Sequence, residues 1–326
     1  MGQSASTSVS TAQYGRPRLA TILQIMSVGF IGLGNMGLPM CKRLLAAGLS
    51  VKVFDINSQN VDSAVGDGAV ATTSAAECAS QVEFLFTSLP RPEHVEKVMV
   101  DDNALQNLKP GSIWVDLTTN RKELVTALAN KAPNGVSVLD SPVTGAVDGA
   151  RNGKLTLFVG GDQDSFSRVS PLLASLGKPI HCGSLGSGNV VKLVTNQLWF
   201  IGAAAIGEGF ATGLANGIEL GTLWGAIKES VGDSFVVRHD APSIFAGHYD
   251  PSFSLGLCLK DLGLINELTQ QVNADLPMTD AAISAFTIAC DRYGADAAEL
   301  HVAKRIEDDA NLSMRLTGDW TPPWEQ

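Results

Sequence analysis

The chain has 326 residues, enough for two domains, and its 45% hydrophobic and 17% charged residues are the balance of a well-buried globular protein. A formal net charge of −10 argues against nucleic acid and anionic membrane surfaces as partners. The five cysteines (Cys41, Cys78, Cys182, Cys258, Cys290) form no C-x-x-C pair and the five histidines show no metal-ligand spacing, so reduced thiols and no metal site are expected.

Residues 1–25 are rich in Ser, Thr, Ala and Gln, with Arg16 and Arg18 and no acid, the composition of a disordered tail. A mitochondrial transit peptide has the same composition, and Met1-Gly2 with Ser6 loosely fits a myristoylation site. A cytoplasmic location is expected, with the mitochondrial matrix as the alternative.

Residues 26–187 read as alternating strands and helices. Ser27–Ile31 is an apolar strand that runs into Gly32-Leu33-Gly34-Asn35-Met36-Gly37, followed by a helix over Leu38–Ala47 that Gly48 stops. Val51–Asp55 is the next strand. Strand, G-x-G-x-x-G, helix, strand and acid in this order form a dinucleotide fingerprint: the glycines let backbone turn and approach a pyrophosphate at a helix N-terminus. Asp55, 18 positions after Gly37, stands where a carboxylate bonds the adenine ribose and repels a 2′-phosphate. No Arg or Lys occurs in Ile56–Asn60, which favours NAD over NADP. Further strands are expected at Val82–Ser88, Ser112–Asp116, Val136–Asp140 and Leu155–Val159, with helices near Pro92–Val100 and Arg121–Ala129. In an open parallel sheet ligands lie beyond the carboxyl ends of the strands, so Leu89-Pro90 and Asp116–Asn120 stand where a cofactor would lie; simple strand-end turns, served by Pro90 and Asn120, are the other reading. In Asp140–Ala146, Thr144 offers a hydroxyl and Gly145 an amide, donors that hold a carboxylate without adding charge; an ordinary Ser/Thr turn is the other reading.

Gly186-Ser187-Gly188-Asn189 reads as a turn into a helix, with Asn189 as N-cap before the apolar run Val190–Val194. Lys192 and Asn196, four apart, share one face of that helix. Desolvation and the positive end of the helix dipole both oppose the charge on Lys192, so its pKa should fall, while the same helix start attracts a carboxylate. A lysine reaching out to solvent is the alternative. The uncharged stretch Leu193–Gly207 is too short and too rich in Gly, Ala and Asn for a membrane span and reads as a buried helix continuing to about Leu214, with Gly217 beyond it. Residues 188–326 contain no strand–helix alternation and are expected to form an all-α domain that includes this interdomain helix, with helices at Gly221–Val231, Leu257–Gln270, Met278–Tyr293 and Ala297–Asp309. Lys260 is an isolated charge within the apolar run Phe253–Leu264, placed either to reach across a cleft to an anion or to pair locally with Asp261. Thr321–Trp324 cannot continue a helix.

Four separated stretches, Gly29–Gly37, Asp140–Gly145 with Gly149, Gly153 and Leu155, Gly186–Asn196, and Lys260–Leu264, together resemble the β-hydroxyacid dehydrogenase family, which includes the 3-hydroxyisobutyrate dehydrogenases; the resemblance spans about residues 26–312. It implies an α/β protein: an N-terminal Rossmann domain, a long linking helix and a C-terminal all-α domain, assembled as a homodimer or homotetramer. It implies an NAD-dependent oxidoreductase interconverting a small 3-hydroxy acid and its semialdehyde or keto acid. Gly32, Leu33, Gly34, Asn35, Met36 and Gly37 match the family's pyrophosphate loop and Asp55 its ribose-binding acid. Leu89, Pro90 and Thr119 match positions lining the cofactor, with His94 nearby. Thr144 and Gly145 match the substrate-carboxylate motif, Lys192 the catalytic lysine, Asn196 the substrate-orienting asparagine, and Lys260 a lysine contacting cofactor or substrate. The family usually has Ser at the position of Thr144 and a second Gly at Ala146, and Gly232–Val237 differs from the hydroxyisobutyrate enzymes; these departures bear on the shape of the acid pocket. Imine reductases share the fold but generally lack the lysine. A non-catalytic cofactor-binding member is the remaining alternative.

Overall fold

The computed structural model describes residues 26–318 and Trp320; the expectations for residues 1–25 and for Thr321–Trp324 lie outside the described residues. Six strands, β1 (Ser27–Ile31), β2 (Ser50–Phe54), β3 (Val70–Ala71), β4 (Phe84–Thr87), β5 (Ile113–Asp116) and β6 (Ser137–Asp140), pair in parallel in the order β3-β2-β1-β4-β5-β6. The β-branched and aromatic residues of the central strands explain this: Val28, Phe30, Val53, Phe84, Phe86 and Val115 are fully buried, as a sheet covered on both faces requires. Helices α1 (Gly37–Ala46), α2 (Ser58–Gly66), α3 (Ala75–Ala79), α4 (Pro92–Glu96, continued by a π-helical turn) and α5 (Lys122–Lys131) connect the strands. Met40 and Leu44 of α1 seal one face, and Val95, Val125 and Leu128 the other. The order reverses between β1 and β4, the switch point at which such sheets bind dinucleotides.

The register sets the edge of the site. Ile31 lies opposite both Phe54 and Thr87, Thr87 opposite Asp116, and Asp116 opposite Asp140. The loops that follow these residues therefore emerge side by side.

Beyond β6 the sheet continues with β7 (Val143–Thr144), β8 (Leu155–Gly160) and β9 (Gly177–Gly183); β8 runs antiparallel to β6 and β7 and parallel to β9. Helices α6 (Ala146–Asn152) and α7 (Gln163–Leu173) lie between them. Of these elements only β8 is visible in the sequence pattern. β9 is an edge strand with no fully buried residue, so it lacks an apolar run, and α6 holds Gly149 where a side chain would press on Leu155 at 3.3 Å.

The second half is built on α8 (Ser187–Ala215). It packs on β8 and on α11 (Leu255–Thr269), α12 (Pro277–Tyr293) and α13 (His301–Ala310), with α9 (Leu220–Lys228) and α10 (Ala241–Ala246) completing the layer. Phe200, Phe210, Phe245, Phe286 and Leu300 are fully buried in this second core. Over 18 residues α8 reaches a mean hydropathy of 1.4, long and apolar enough by composition to cross a membrane, yet only 28% of that window is buried within the chain; the expected buried helix is instead half open, with Val194 and Leu198 43% and 67% exposed. The helix begins two residues before the expected N-cap. Its N-cap is Gly186, at φ +89°, and Asn189 lies within the first turn.

Candidate active site

The glycine loop between β1 and α1 is shaped by what a side chain would strike. A Cβ on Gly32, at φ +92°, would lie 2.2 Å from the Ser88 carbonyl oxygen, and one on Gly37 would lie 1.9 Å from the Gly32 carbonyl oxygen. A Cβ on Gly34 would meet nothing within 4 Å. The first and third glycines are thus demanded by the fold, and the second faces a cradle that backbone leaves open to a ligand. No side chain caps the first turn of α1 and no acid sits in it, so its amides suit a phosphate. Asp55 braces this loop: its carboxylate accepts from the Leu33 amide at 2.5 Å and the Asn57 amide at 2.7 Å. Ile56 beside it is 98% exposed, with no cationic neighbour in the sequence through Asn60. These features fit a dinucleotide whose ribose meets a carboxylate.

At the ends of β4 and β5 the Thr118 hydroxyl accepts from the Leu89 amide at 3.0 Å, tying the Leu89-Pro90 loop to the loop holding Thr119. His94, on α4, is exposed and, among the described residues, makes no side-chain hydrogen bond to these loops. Asp116 is buried and accepts from Thr87 Oγ1 at 2.9 Å, the Thr118 amide at 3.1 Å and Asn120 Nδ2 at 3.1 Å; burial outweighs these bonds and pushes its pKa up to about 6.

From there a polar chain runs into α8. The Asn120 amide donates to Asn189 Oδ1 at 2.7 Å, and Asn189 Nδ2 donates to Asp140 Oδ2 at 3.1 Å. Asp140 also accepts from the Gly186 amide at 2.6 Å and the Asn189 amide at 2.7 Å. The expected N-cap role of Asn189 is therefore corrected. Asp140, from the end of β6, satisfies the orphan amides of the helix start, and Asn189 joins it to Asn120. Close approach is essential: a Cβ on Gly188 would lie 2.1 Å from the Phe158 carbonyl oxygen.

One turn on, Lys192 is buried, 9% exposed, with no carboxylate oxygen within 4 Å of its Nζ among the described residues. Its pKa falls from 10.5 to about 8, chiefly through burial, with the Lys260 charge adding to the fall and Asp261 and Glu299 opposing it. Asn196, also 9% exposed, donates through Nδ2 to Asp261 Oδ2 at 2.8 Å. Lys260 Nζ lies 2.5 Å from Asp261 Oδ1, and both side chains are almost fully buried. Lys260 thus pairs locally with Asp261, one of its two expected readings, but in a buried site and not in solvent. Asp261, as the hub of Lys260 and Asn196, went unrecognised in the sequence except as a local partner. The only signal for it is that an acid follows a lone lysine in an apolar run.

Thr144 and Gly145 are half-buried at the end of β7. Gly145, at φ +123°, precedes α6, and Ala146 has φ +55°, left-handed for a residue with a Cβ. The usual second glycine of this motif would relax that turn. Ala146→Gly is expected to raise stability by about 1 kcal/mol in urea unfolding; an equal or lower midpoint would show that the alanine methyl is held by favourable packing.

Residues 27–186 match the family model described as the NAD binding domain of 6-phosphogluconate dehydrogenase, and residues 186–306 match that described as NAD-binding of NADP-dependent 3-hydroxyisobutyrate dehydrogenase. The chain is 35% identical over 265 residues to 2-(hydroxymethyl)glutarate dehydrogenase of Eubacterium barkeri, covering 80% of this chain and 88% of that one. It is 35% identical over 273 residues to a 3-hydroxyisobutyrate dehydrogenase of Pseudomonas aeruginosa, covering 80% and 91%. A solved Mycobacterium tuberculosis 3-hydroxyisobutyrate dehydrogenase with L-serine superposes with a TM-score of 0.79 at 29% identity, covering 86% and 99%. Imine reductases, such as that of Bacillus cereus at 20% identity and a TM-score of 0.55, share the fold alone. The fold alone admits both activities; the two family models and the dehydrogenase relatives make the chain a nicotinamide-dependent dehydrogenase acting on CH–OH groups. The chain belongs to the β-hydroxyacid dehydrogenase family.

Proposed function

We propose that the enzyme oxidises small 3-hydroxy acids, of which 3-hydroxyisobutyrate is the reference, with NAD as oxidant and Lys192 as general acid/base. The observation that carries this reading is a buried amine with a pKa of about 8, one turn from Asn196, on a helix whose start is bonded to the carboxyl ends of β5 and β6. Bound nicotinamide supplies the hydride acceptor. The Thr144 hydroxyl and Gly145 amide donate to the substrate carboxylate. Asn196 orients the substrate; Asp261 takes up one of its N–H bonds and so acts as a positioning residue. Lys192, when neutral, removes the hydroxyl proton and returns it in the reverse direction, help worth about 10²–10⁴ in rate. The cofactor contacts proposed are Gly32–Gly37, Asp55, Leu89, Pro90 and Thr119, with Lys260 from the second half; His94 has the least structural support.

A panel of 3-hydroxyisobutyrate, L-serine, threonate and tartronate semialdehyde, each with NAD or NADP and their reduced forms, tests the reading by cofactor absorbance. With a cyclic imine added to the panel, turnover of the imine alone would replace it with the reductase alternative. Asp55→Asn is expected to reduce the preference for NAD over NADP at least about tenfold by removing the charge that repels a 2′-phosphate. An unchanged ratio of kcat/KM values would confine Asp55 to bracing the loop.

A further inference from the structure

Facing the turn that holds Thr144 and Gly145, the second half of the chain presents His239, in a π-helical turn over Val236–Asp240. Its ring stacks on Phe235 with centroids 4.4 Å apart, and its Nδ1 lies 2.8 Å from Asp240 Oδ1. Asp240 is 2% exposed and is fixed from the other side by Trp199 Nε1 at 2.8 Å. Trp199 is seven residues beyond Lys192 and three beyond Asn196, so the three share one face of α8. The imidazole is therefore anchored to the same helix face as the proposed base.

Its other nitrogen, Nε2, stands 3.8 Å from Asp148 Oδ2. Asp148 belongs to the other half, in the first turn of α6, three residues after Gly145. That separation is too long for a hydrogen bond. Both side chains stay partly open, at 22% and 25% exposure, and among the described residues neither facing atom has a hydrogen-bond partner. The carboxylates around the ring are Asp240, Asp148 and Asp250, and the Asp240 hydrogen bond leads in raising its pKa against the opposing effect of burial. In its charged form the ring donates Nδ1–H to Asp240 and has Nε2–H left to donate into the gap, whereas Asp148 can only accept.

The gap thus has a donor on one wall and an acceptor on the other. A methyl satisfies neither. A carboxylate suits His239 and is repelled by Asp148; an ammonium suits Asp148 and is repelled by the imidazolium. A hydroxyl both accepts and donates through one oxygen, and an oxygen seated beside the pair, about 2 Å off the line joining Nε2 and Oδ2, lies about 2.8 Å from each. We propose that His239 and Asp148 form a hydroxyl-reading subsite, so that the preferred substrate is a small hydroxy acid carrying a second hydroxyl besides the one oxidised.

The proposal rests on the dehydrogenase reading above, and one series separates the two. In HOCH2–CHX–COO⁻, X is methyl in 3-hydroxyisobutyrate, hydroxyl in glycerate, ammonium in serine and carboxyethyl in 2-(hydroxymethyl)glutarate. Wild-type kcat/KM with NAD is expected to be at least about tenfold higher for glycerate than for the other three, the order of one hydrogen bond to a charged group. Calorimetric binding of each acid to the NADH-loaded enzyme should follow the same order without turnover. In His239→Phe and Asp148→Ala the glycerate to 3-hydroxyisobutyrate ratio should fall toward one, and Asp148→Asn, which keeps an acceptor, should restore part of it. Equal or better use of 3-hydroxyisobutyrate, serine or the glutarate by the wild type overturns the subsite and leaves the dehydrogenase standing. An undiminished ratio in both His239→Phe and Asp148→Ala also overturns it. Turnover of none of the four, nor of threonate or tartronate semialdehyde, removes the hydroxy-acid reading and the subsite together.

Discussion

Lys192→Met is expected to lower kcat by at least about 10²-fold while NADH still binds, because it removes the proton acceptor and keeps a side chain of similar length. The wild-type oxidation rate should rise with pH through about 8, as the amine becomes neutral, and the reverse reaction should weaken above that value because it needs the ammonium. The stability effect has the opposite sign. The amine titrates near 8 in the folded chain and near 10.5 when exposed, so folding disfavours its proton throughout the range below 8. Methionine escapes that cost, of about 3 kcal/mol for a fully buried amine. The variant should therefore resist denaturant better than wild type near pH 7, and the advantage should shrink as pH climbs toward 10.5. A variant that is both inactive and unstable would point to a packing role for Lys192 and away from proton transfer.

Asp140→Ala is the second large expectation. The carboxylate accepts two main-chain amides and one side-chain amide at the start of α8, all buried. Alanine leaves those donors without partners in a site closed to solvent, a loss of about 3–5 kcal/mol. The unfolding midpoint should drop accordingly. Any folded fraction should turn over slowly, since the helix start that positions Lys192 has lost its anchor. Asp140→Asn, with one acceptor oxygen retained, should fall between. Wild-type stability in the alanine variant would mean that the helix start is held by the close packing of Gly188 on β8 alone.

What could be read in advance follows the range of each interaction. The β1–α1–β2 unit was legible because its constraints are local: an apolar strand, glycines forced by near neighbours, and an acid at the next strand end. Lys192 and Asn196 were legible as a pair because helical spacing is fixed. The meaning of Asn189 was not, because its partners, Asn120 and Asp140, lie 69 and 49 residues away. A polar residue beside a glycine turn looks like a local cap whichever partner it finds. Lys260 stands out as a lone charge in an apolar run, but the tie of its partner Asp261 to Asn196 spans 65 residues and leaves no periodic trace. His239 passed as one of five scattered histidines, since nothing near it in sequence announces Trp199, Asp240 or Asp148 as its neighbours. The short α6 and the edge strand β9 were hidden by glycines whose reason is close packing.

The polar chain from Asp116 through Asn120 and Asn189 to Asp140 means that the amine-bearing helix is moored to the nucleotide half, although most of its length lies in the other. A chimera cut at Gly186, with a foreign nucleotide domain grafted in front, would inherit the lysine and lose its mooring. Engineers exchanging cofactor modules in this enzyme would do better to splice beyond Asn196, so that the first three turns of α8 travel with the sheet that fixes them.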